Sequence, residues 1–588
     1  MENNNTLSSN LERIKSATDD LRELVSMTEE DTIEDVVAEV QKQIPSSVEL
    51  KDVNFYDWDG TFLFGYTKQE FLALEELPPN PEYEEFTAQG WNAELSDAKE
   101  YVTKYGCLNI GQTVTTKDGK TRIYITLDDE NLLSPYINIK VNGTVSLNFG
   151  DGSETVNITG TGQVVYTKHT YPRTGDYIIE IGGETPFTIG YTYGWNTTNT
   201  VGFLSVSDDD YSFSAYQGAI RRLYFGANSS IGYCGIRGLN KIEKMNIPLS
   251  LNIDGTSYHG LAAGSSKLNL VLPKTKKNIL QSELEGLGLV IFPPKITGTM
   301  YRSSIKNIGR SDANLTLPEH TGSSYIVGNI GNFTCKKLIV PDSWSAWCPD
   351  GYDALGSTTA EYIRLSNNMN YTRNTAFFSD VKGIKSLDDI ENWFVPNKQT
   401  FNGSLFKNSG IMSVDLPNET TSIGTECFSG SLLSHISMSN NVISLGNKAF
   451  SGCRYLTNIT LSDNITTLPS ECFSSCSSLI DVHLPVNLTT ISNRAFYNCQ
   501  SLKYLYIPKS VNSIGTDVFY GCYQLEYLDF SDHDSVPTLS GSLSSWPGPS
   551  NYKVIVPDEL YDSWRTANQW SSISNKIIRK SDYDSLNE

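Results

Sequence analysis

At 588 residues the chain is too long for one hydrophobic core, and roughly 100–200 residues per domain predicts a modular protein. Charged residues are only 19% while Gly reaches 45 and Tyr 32, a mixture that excludes a disordered chain and suits a β-rich fold with many turns. Residues 1–100 hold 24 acidic and 7 basic side chains, −17 of the formal −22, so neither this part nor the remainder has the basic stripe that nucleic acid or an anionic membrane requires.

The first 25 residues lack a basic stretch followed by an apolar one, so they do not read as a secretory signal, and no run of 18 apolar residues suggests a transmembrane helix. Leu7, Leu11, Ile14, Thr18, Leu21 and Val25 alternate steps of four and three, a heptad seam with one polar member. A second helix starts at Thr28 and keeps apolar spacing through Ile33, Val36, Val37, Val40 and Ile44 to Pro45. Residues 1–48 are therefore expected to be helical. They either pack as a hairpin on the next domain or, as the strict seam favours, form an oligomerisation or attachment segment through Leu7, Leu11, Ile14, Leu21 and Val25.

Residues 50–134 read as a small α+β adaptor module: strands over Val53–Tyr56, Thr61–Tyr66 and Thr121–Leu127, with a helix over Ser96–Tyr105. Within it, Asp57-Trp58-Asp59-Gly60-Thr61 resembles the DxDGT phrase of haloacid-dehalogenase-type phosphatases, in which the two aspartates would be nucleophile and general acid. That family also needs a long βα domain, a downstream lysine and an acidic magnesium pair. Here a Pro-rich break follows instead, so Asp59-Gly60 is read as a hairpin turn.

In residues 135–190, Val145, Leu147 and Phe149 alternate with polar residues as in a strand with one buried face. Phe149-Gly150-Asp151-Gly152-Ser153, followed by His169-Thr170-Tyr171 and Gly175-Asp176-Tyr177, resembles the polycystic-kidney-disease (PKD) domain. The resemblance implies an immunoglobulin-like β-sandwich serving as a spacer or weak adhesive module. His169 has no cysteine or second histidine near it in sequence and is read as structural.

Self-similarity dominates the rest. Phe428, Phe450, Phe473, Phe496 and Phe519 are separated by 22, 23, 23 and 23 residues, and Leu433, Leu456, Leu479, Leu502 and Leu525 by 23 throughout. After each leucine, apolar residues recur at alternate positions, as in Leu456-x-x-Ile459-x-Leu461, which predicts one short strand per coil. Single coils cannot bury their apolar faces, so coils must stack into a parallel sheet over a shared core. Cys453, Cys476, Cys499 and Cys522 follow each phenylalanine by three residues, and Ser431 holds the same place one coil earlier, so this column is read as selecting small size rather than thiol chemistry. The ten cysteines do not read as a disulfide framework.

The phrase Leu-x-x-Ile-x-Leu followed by Ile-Gly-x-x-Ala-Phe-x-x-Cys is similar to the BspA-like leucine-rich repeats of bacterial surface proteins and of phages of gut bacteria. The resemblance implies adhesion and ligand binding without a cofactor. Regular repeats are assigned to 411–545. Looser echoes such as Leu270-x-Leu272-Pro273 and Leu338-x-Val340-Pro341 place an irregular solenoid over 200–410, whose longer insertions are the expected receptor face, with Trp344, Trp347 and Tyr352 as ligand-facing aromatics. Val554-Ile-Val-Pro-Asp558 through Trp564 repeats the phrase beginning at Leu338, and 546–588 is expected to cap the last coil.

Fold class is thus mainly β, with N-terminal helices, a small α+β module, a PKD-like sandwich and a leucine-rich-repeat solenoid. The six histidines are scattered, and no zinc, phosphate-loop or nucleophile-elbow motif occurs, so catalysis, cofactor and metal are not expected. The overall layout resembles virion-associated proteins of gut-bacterial phages. It implies a tail or head fibre or receptor-binding protein, made in the host cytoplasm and released in the virion by lysis. The expected partners are a host surface protein or polysaccharide, other virion proteins through the N-terminal helices, and further copies of the chain. A bacterial cell-surface or secreted adhesin is the alternative, and an enzyme acting on wall polysaccharide the more distant one.

Overall fold

The computed structural model describes residues 50–189, 191–192, 200–201, 203–205, 216, 218–231, 239, 241–251, 264–279, 284–298, 305–320, 331–344, 355, 357–367, 376–391, 400–401, 403–541 and 552–587. The chain divides into two units, Met1–Asp52 and Val53–Glu588, and every described strand and helix belongs to the second. The expected helices of 1–48, with Leu7, Leu11, Ile14, Leu21 and Val25, lie outside the described residues.

The first layer is a four-stranded sheet ordered β2-β1-β4-β3, from β1 (Val53–Tyr56), β2 (Phe62–Tyr66), β3 (Phe86–Trp91) and β4 (Leu108–Thr116). Two helices accompany it: α1 (Lys68–Leu72), opened by a reciprocal Thr67–Glu70 capping box, and α2 (Leu95–Tyr105), closed by Gly106 in the left-handed region. One side of the sheet packs on Phe71, Ala98, Tyr101 and Val102. The other side faces the solenoid.

Strand β5 (Thr121–Leu127), read from the sequence as the end of the adaptor module, lies inside a nine-stranded sheet instead. It pairs antiparallel with both Gly175–Gly182 and Ile220–Tyr224. In the same sheet Tyr136–Asn148 and Val156–Lys168 form a long hairpin, and Ile220–Tyr224 pairs parallel with Lys244–Met245. Hydrogen bonding therefore runs unbroken from the region expected to be a separate PKD-like sandwich into the start of the solenoid. The line drawn at 134/135 does not fall at a break in pairing. What the motif does locally is clear: His169 stacks on Phe149 at 3.8 Å and its Nε2 meets Asp151 at 2.8 Å. Tyr177 closes its turn by donating to the Arg173 carbonyl, whereas the buried Tyr171 hydroxyl finds no partner among the described residues.

From Lys244 onward each coil contributes a short parallel strand. Leu270, Leu315, Leu338 and Ile363 point into one core, which continues through Val414, Ile436, Ile459, Val482, Leu505 and Leu528. A second row of two-residue strands, from Thr400–Phe401 to Thr538–Leu539, lines another side of the regular coils. At the returning turn Phe428, Phe450, Phe473, Phe496 and Phe519 are fully buried and form a column with centroids 5.3 to 5.8 Å apart and planes within 11° of parallel. The column begins earlier than the repeat spacing alone placed it, with Phe378 and Phe406 stacked ahead of Phe428. Phe406 stands 22 residues before Phe428, a spacing visible in the sequence.

The cysteine column is more than a small-residue slot. Cys453, Cys476, Cys499 and Cys522 are buried, and each thiol donates to the phenylalanine carbonyl of the preceding coil at 3.0 to 3.1 Å. These bonds satisfy acceptors sealed inside the core. Burial pushes all four thiols well above the usual cysteine range, which keeps them protonated as donors. At the C-terminal end Lys553–Val556 and Ile577–Arg579 extend the strand ladder, while Trp564 and Trp570 close the core against Phe530 at 4.9 and 5.6 Å.

Candidate functional site: the outward face of the strand ladder

Side chains alternate along each coil strand, so a residue between two core positions projects outward. In the irregular coils this outward face is occupied by the chain itself. Val271, Leu289, Ile291 and Ala313 pack under Tyr56, and Ile339 joins the core beneath α2 and β4. Gly111 in β4 approaches so closely that a Cβ there would lie 2.5 Å from Val271. Polar residues of the module bond directly to coil backbones. Asn92 donates to the carbonyls of Leu272 and Ile291, Asn109 to Asn314 and Tyr101 to Leu317. Arg364 is buried in the same seam, 4.6 Å over the Tyr105 ring and paired with Asp342.

The Asp-Trp-Asp-Gly-Thr turn belongs to this docking. The Asp57 N–H donates to the Thr61 carbonyl across the turn and the Gly60 N–H to the Asp57 carbonyl, and Gly60 has φ +80 with its Cα against Asn269. Successive coils hold it: Lys244 bonds the Asp59 carboxylate at 2.7 Å, Asn269 the Asp59 carbonyl, and Arg310 the Gly60 carbonyl. Burial pushes the Asp57 carboxyl up despite the Tyr83 hydroxyl 2.5 Å away. Burial opposes ionisation of Asp59 too, but the hydrogen bonds from Lys244 and Thr61 outweigh it and hold that carboxyl below its usual range. Both carboxylates are thus committed to internal partners.

Among the described residues the outward face of the regular coils is uncovered from His435 to Tyr506. His435 and Ser437, Asn458 and Thr460, and Asp481 and His483 are exposed on either side of the buried Ile436, Ile459 and Val482. Next come Tyr504 and Tyr506 flanking Leu505, then Tyr527 and Asp529 flanking Leu528. The register holds equivalent positions opposite one another, Asn458 with Asp481 and Tyr504 with Tyr527. With strands about 4.8 Å apart, this makes two parallel rows of polar and aromatic groups. The arrangement suits extended, multi-point recognition.

A third row runs along the opposite turn. Glu426, Lys448, Glu471, Arg494 and Asp517 all have positive φ, from 54 to 58°, and alternate in sign up the coils. Lys448 meets Glu471 at 3.5 Å and Arg494 meets Asp517 at 3.4 Å. These charges neutralise one another along the row.

Of the aromatic residues expected to face a ligand, Trp344 is placed differently. Trp344 is 1% exposed and donates its Nε1 to the Pro318 carbonyl, so it belongs to the core; Trp570 does the same toward Pro537. The apolar bulk and single donor of an indole are both satisfied inside a coil, and that outcompetes display. Trp347 and Tyr352 lie outside the described residues, as do most of the insertions of the irregular coils. Tyr504, Tyr506 and Tyr527 were not among the residues expected from the sequence to face a ligand, although their places beside the core residues Leu505 and Leu528 mark them as outward. Among the described residues no group of three or more His, Cys, Asp or Glu is placed to hold a metal ion, and no helix is long and apolar enough to cross a membrane.

Over the regular coils this geometry is that of a leucine-rich-repeat solenoid. Residues 399–526 match the BspA type leucine rich repeat region in six copies. Among solved structures, the chain is similar to a leucine-rich repeat protein from Bacteroides ovatus ATCC 8483, at 20% identity over 61% of this chain and 88% of that one, with a TM-score of 0.42. It is also similar to a leucine rich cell surface protein from Faecalibacterium prausnitzii A2-165, at 16% identity over 57% of this chain and 94% of that one, TM-score 0.26. No curated protein matches the chain.

Proposed function

We propose that the chain is a recognition protein that binds a bacterial cell-surface macromolecule through the outward strand face of its regular coils, and that it acts by binding rather than catalysis. The observation that carries this reading is the change along one continuous ladder. The face is filled by the chain's own α+β layer over the irregular coils and is left uncovered, polar and aromatic over the described strands from His435 to Tyr506. A bare face of this size on a rigid scaffold positions many weak contacts without an ordering cost.

The carrier we propose is a virion fibre or receptor-binding protein, attached through residues 1–48; that placement rests on the sequence resemblance alone. A bacterial surface adhesin would use the same face. Labelled full-length protein is expected to bind at least one strain in a panel of gut anaerobes. The double substitution Asn458→Lys with Asp481→Lys, in the middle of the face, should abolish binding, while Lys448→Ala on the opposite turn should not. Absence of binding to every strain, or indifference to the face substitutions, overturns the reading. Immunogold labelling of phage particles against intact bacterial cells separates the two carriers. Release of soluble fragments from purified cell walls would replace binding with catalysis.

A further inference from the structure

The bare face is not uniform, and its C-terminal end is built as a platform. Tyr504 and Tyr506 project from one coil, 39 and 38% exposed, and Tyr527 lies directly across from Tyr504 on the next. The Tyr504 hydroxyl donates to the Asp529 carboxylate and the Tyr506 hydroxyl to Asp532 at 2.8 Å. Tyr527 meets Tyr583 of the last helix edge-on, with centroids 4.9 Å apart. A tyrosine has two side-chain torsions, and a hydroxyl tied at its far end fixes both. The rings are therefore held in place before any ligand arrives, so little rotamer entropy remains to be lost on binding. Partial burial, then the bond to Asp532, raises the Tyr506 phenol to about 12, which keeps it a neutral donor. Asp529 is buried and serves as an internal anchor, whereas Asp532 and Asp481 are exposed and retain acceptor capacity.

The same ladder displays what it uses against protein. Where it docks the chain's own α+β layer, the outward residues are Val271, Ile291, Ala313 and Ile339. The exposed tyrosine–carboxylate surface has none of that aliphatic character, the adjoining Ile555 across from Asp529 being buried. Its exposed apolar surface is flat aromatic rings, and its exposed carboxylates, Asp481 and Asp532, are acceptors suited to hydroxyl donors, while Lys553 stands across from Tyr527 at the platform's edge. Exposed carboxylates repel an anionic ligand.

We propose that Tyr504, Tyr506 and Tyr527, with Asp532 and Asp481, form a subsite for a neutral glycan: the rings take the C–H face of a pyranose and the carboxylates accept its hydroxyls. This deepens the reading of the face as a recognition surface and depends on it. Successive coils offer equivalent positions about 4.8 Å apart, so an extended chain of sugars is engaged at several residues at once.

Full-length protein is tested on an array of neutral glucan, mannan, galactan and xylan oligosaccharides, with hyaluronan as the acidic control, and on bacteria treated with periodate or with protease. Binding to at least one neutral oligosaccharide and not to hyaluronan is expected. The Tyr504→Ala, Tyr506→Ala double variant should lose at least about tenfold in affinity, and Tyr520→Ala, on the returning turn, should change nothing. Periodate, which cleaves vicinal diols, should abolish cell binding while protease spares it. No neutral oligosaccharide bound, a double variant that binds as well as the parent, or cell binding lost to protease and not to periodate each overturns the proposal. The last of these leaves the recognition face standing with a protein ligand. Failure to bind any cell overturns the broader reading by itself, and the array still decides the glycan.

Discussion

The irregular coils and the regular coils share one core and differ in what their outward faces meet. In the first, variable spacing of the Leu-x-Leu phrases accompanies aliphatic outward residues and a docked sheet, with Asn92, Asn109 and Tyr101 bonded to coil carbonyls. In the second, strict spacing accompanies hydroxyl, amide, imidazole and carboxylate groups open to solvent. The lesson is that a solenoid's core pattern tells where the coils are, while the residues between core positions tell whether a face is already in use.

The largest expected effect breaks the part both regions share. Phe473→Ala removes a fully buried ring between two stacked neighbours, and a cost of about 3–5 kcal/mol is expected in chemical denaturation. Substitutions in the docked seam should act on one region only. Gly111→Val drives two methyl groups into Val271, costs about 1–3 kcal/mol, and should raise hydrogen exchange around residues 53–116 without touching coils 433–525. Asn92→Ala removes the donor to the Leu272 and Ile291 carbonyls and the acceptor of the Gly111 N–H, and should cost about 1–3 kcal/mol with the same regional signature.

Smaller effects sharpen the contrast. Ser475 holds a left-handed backbone, φ 62, where the preceding coil has Gly452, the next has Asn498 and the one after that Gly521, so Ser475→Gly should gain about 0.5–1 kcal/mol in the regular coils. The Asp151 carboxyl is held at about 2: burial opposes ionisation, but hydrogen bonds from Ser153 and His169 outweigh it. Its folded value lies below its unfolded one, so its contribution is present above about pH 4 and is lost as pH falls toward 2. Asp151→Asn should flatten stability over that window, as followed by acid titration of unfolding. Glu471→Gln, in the paired charge row, should change stability by less than about 1 kcal/mol.

The regular coils were legible because burial, strand period and repeat all demanded the same residues: Leu456, Ile459 and Phe473 sit where the spacing placed them. Strand β4 was not legible. Its Asn109, Gln112 and Thr113 are buried, and Asn109 reaches a coil carbonyl, so the usual alternation of apolar and polar residues is absent. Strand β5 was located correctly but assigned to the wrong neighbours, because a strand's pairing depends on residues far away in sequence, here 175–182 and 220–224. Trp344 misled for a related reason: a large aromatic in a loop reads as a display residue until a carbonyl from the previous coil is found for its N–H. On the bare face, the Tyr504-x-Tyr506 alternation was present in the sequence, while its anchoring to Asp529 and Asp532 required the coils to be stacked.

The contrast between an occupied and an open ladder is tested most directly by hydroxyl-radical footprinting of the full-length protein. Rapid modification of Tyr504, Tyr506 and His483, with protection of Val271, Ile339 and Tyr56, is the predicted result. Equal modification of the two groups would mean that the irregular coils are as open as the regular ones, and would contradict the account.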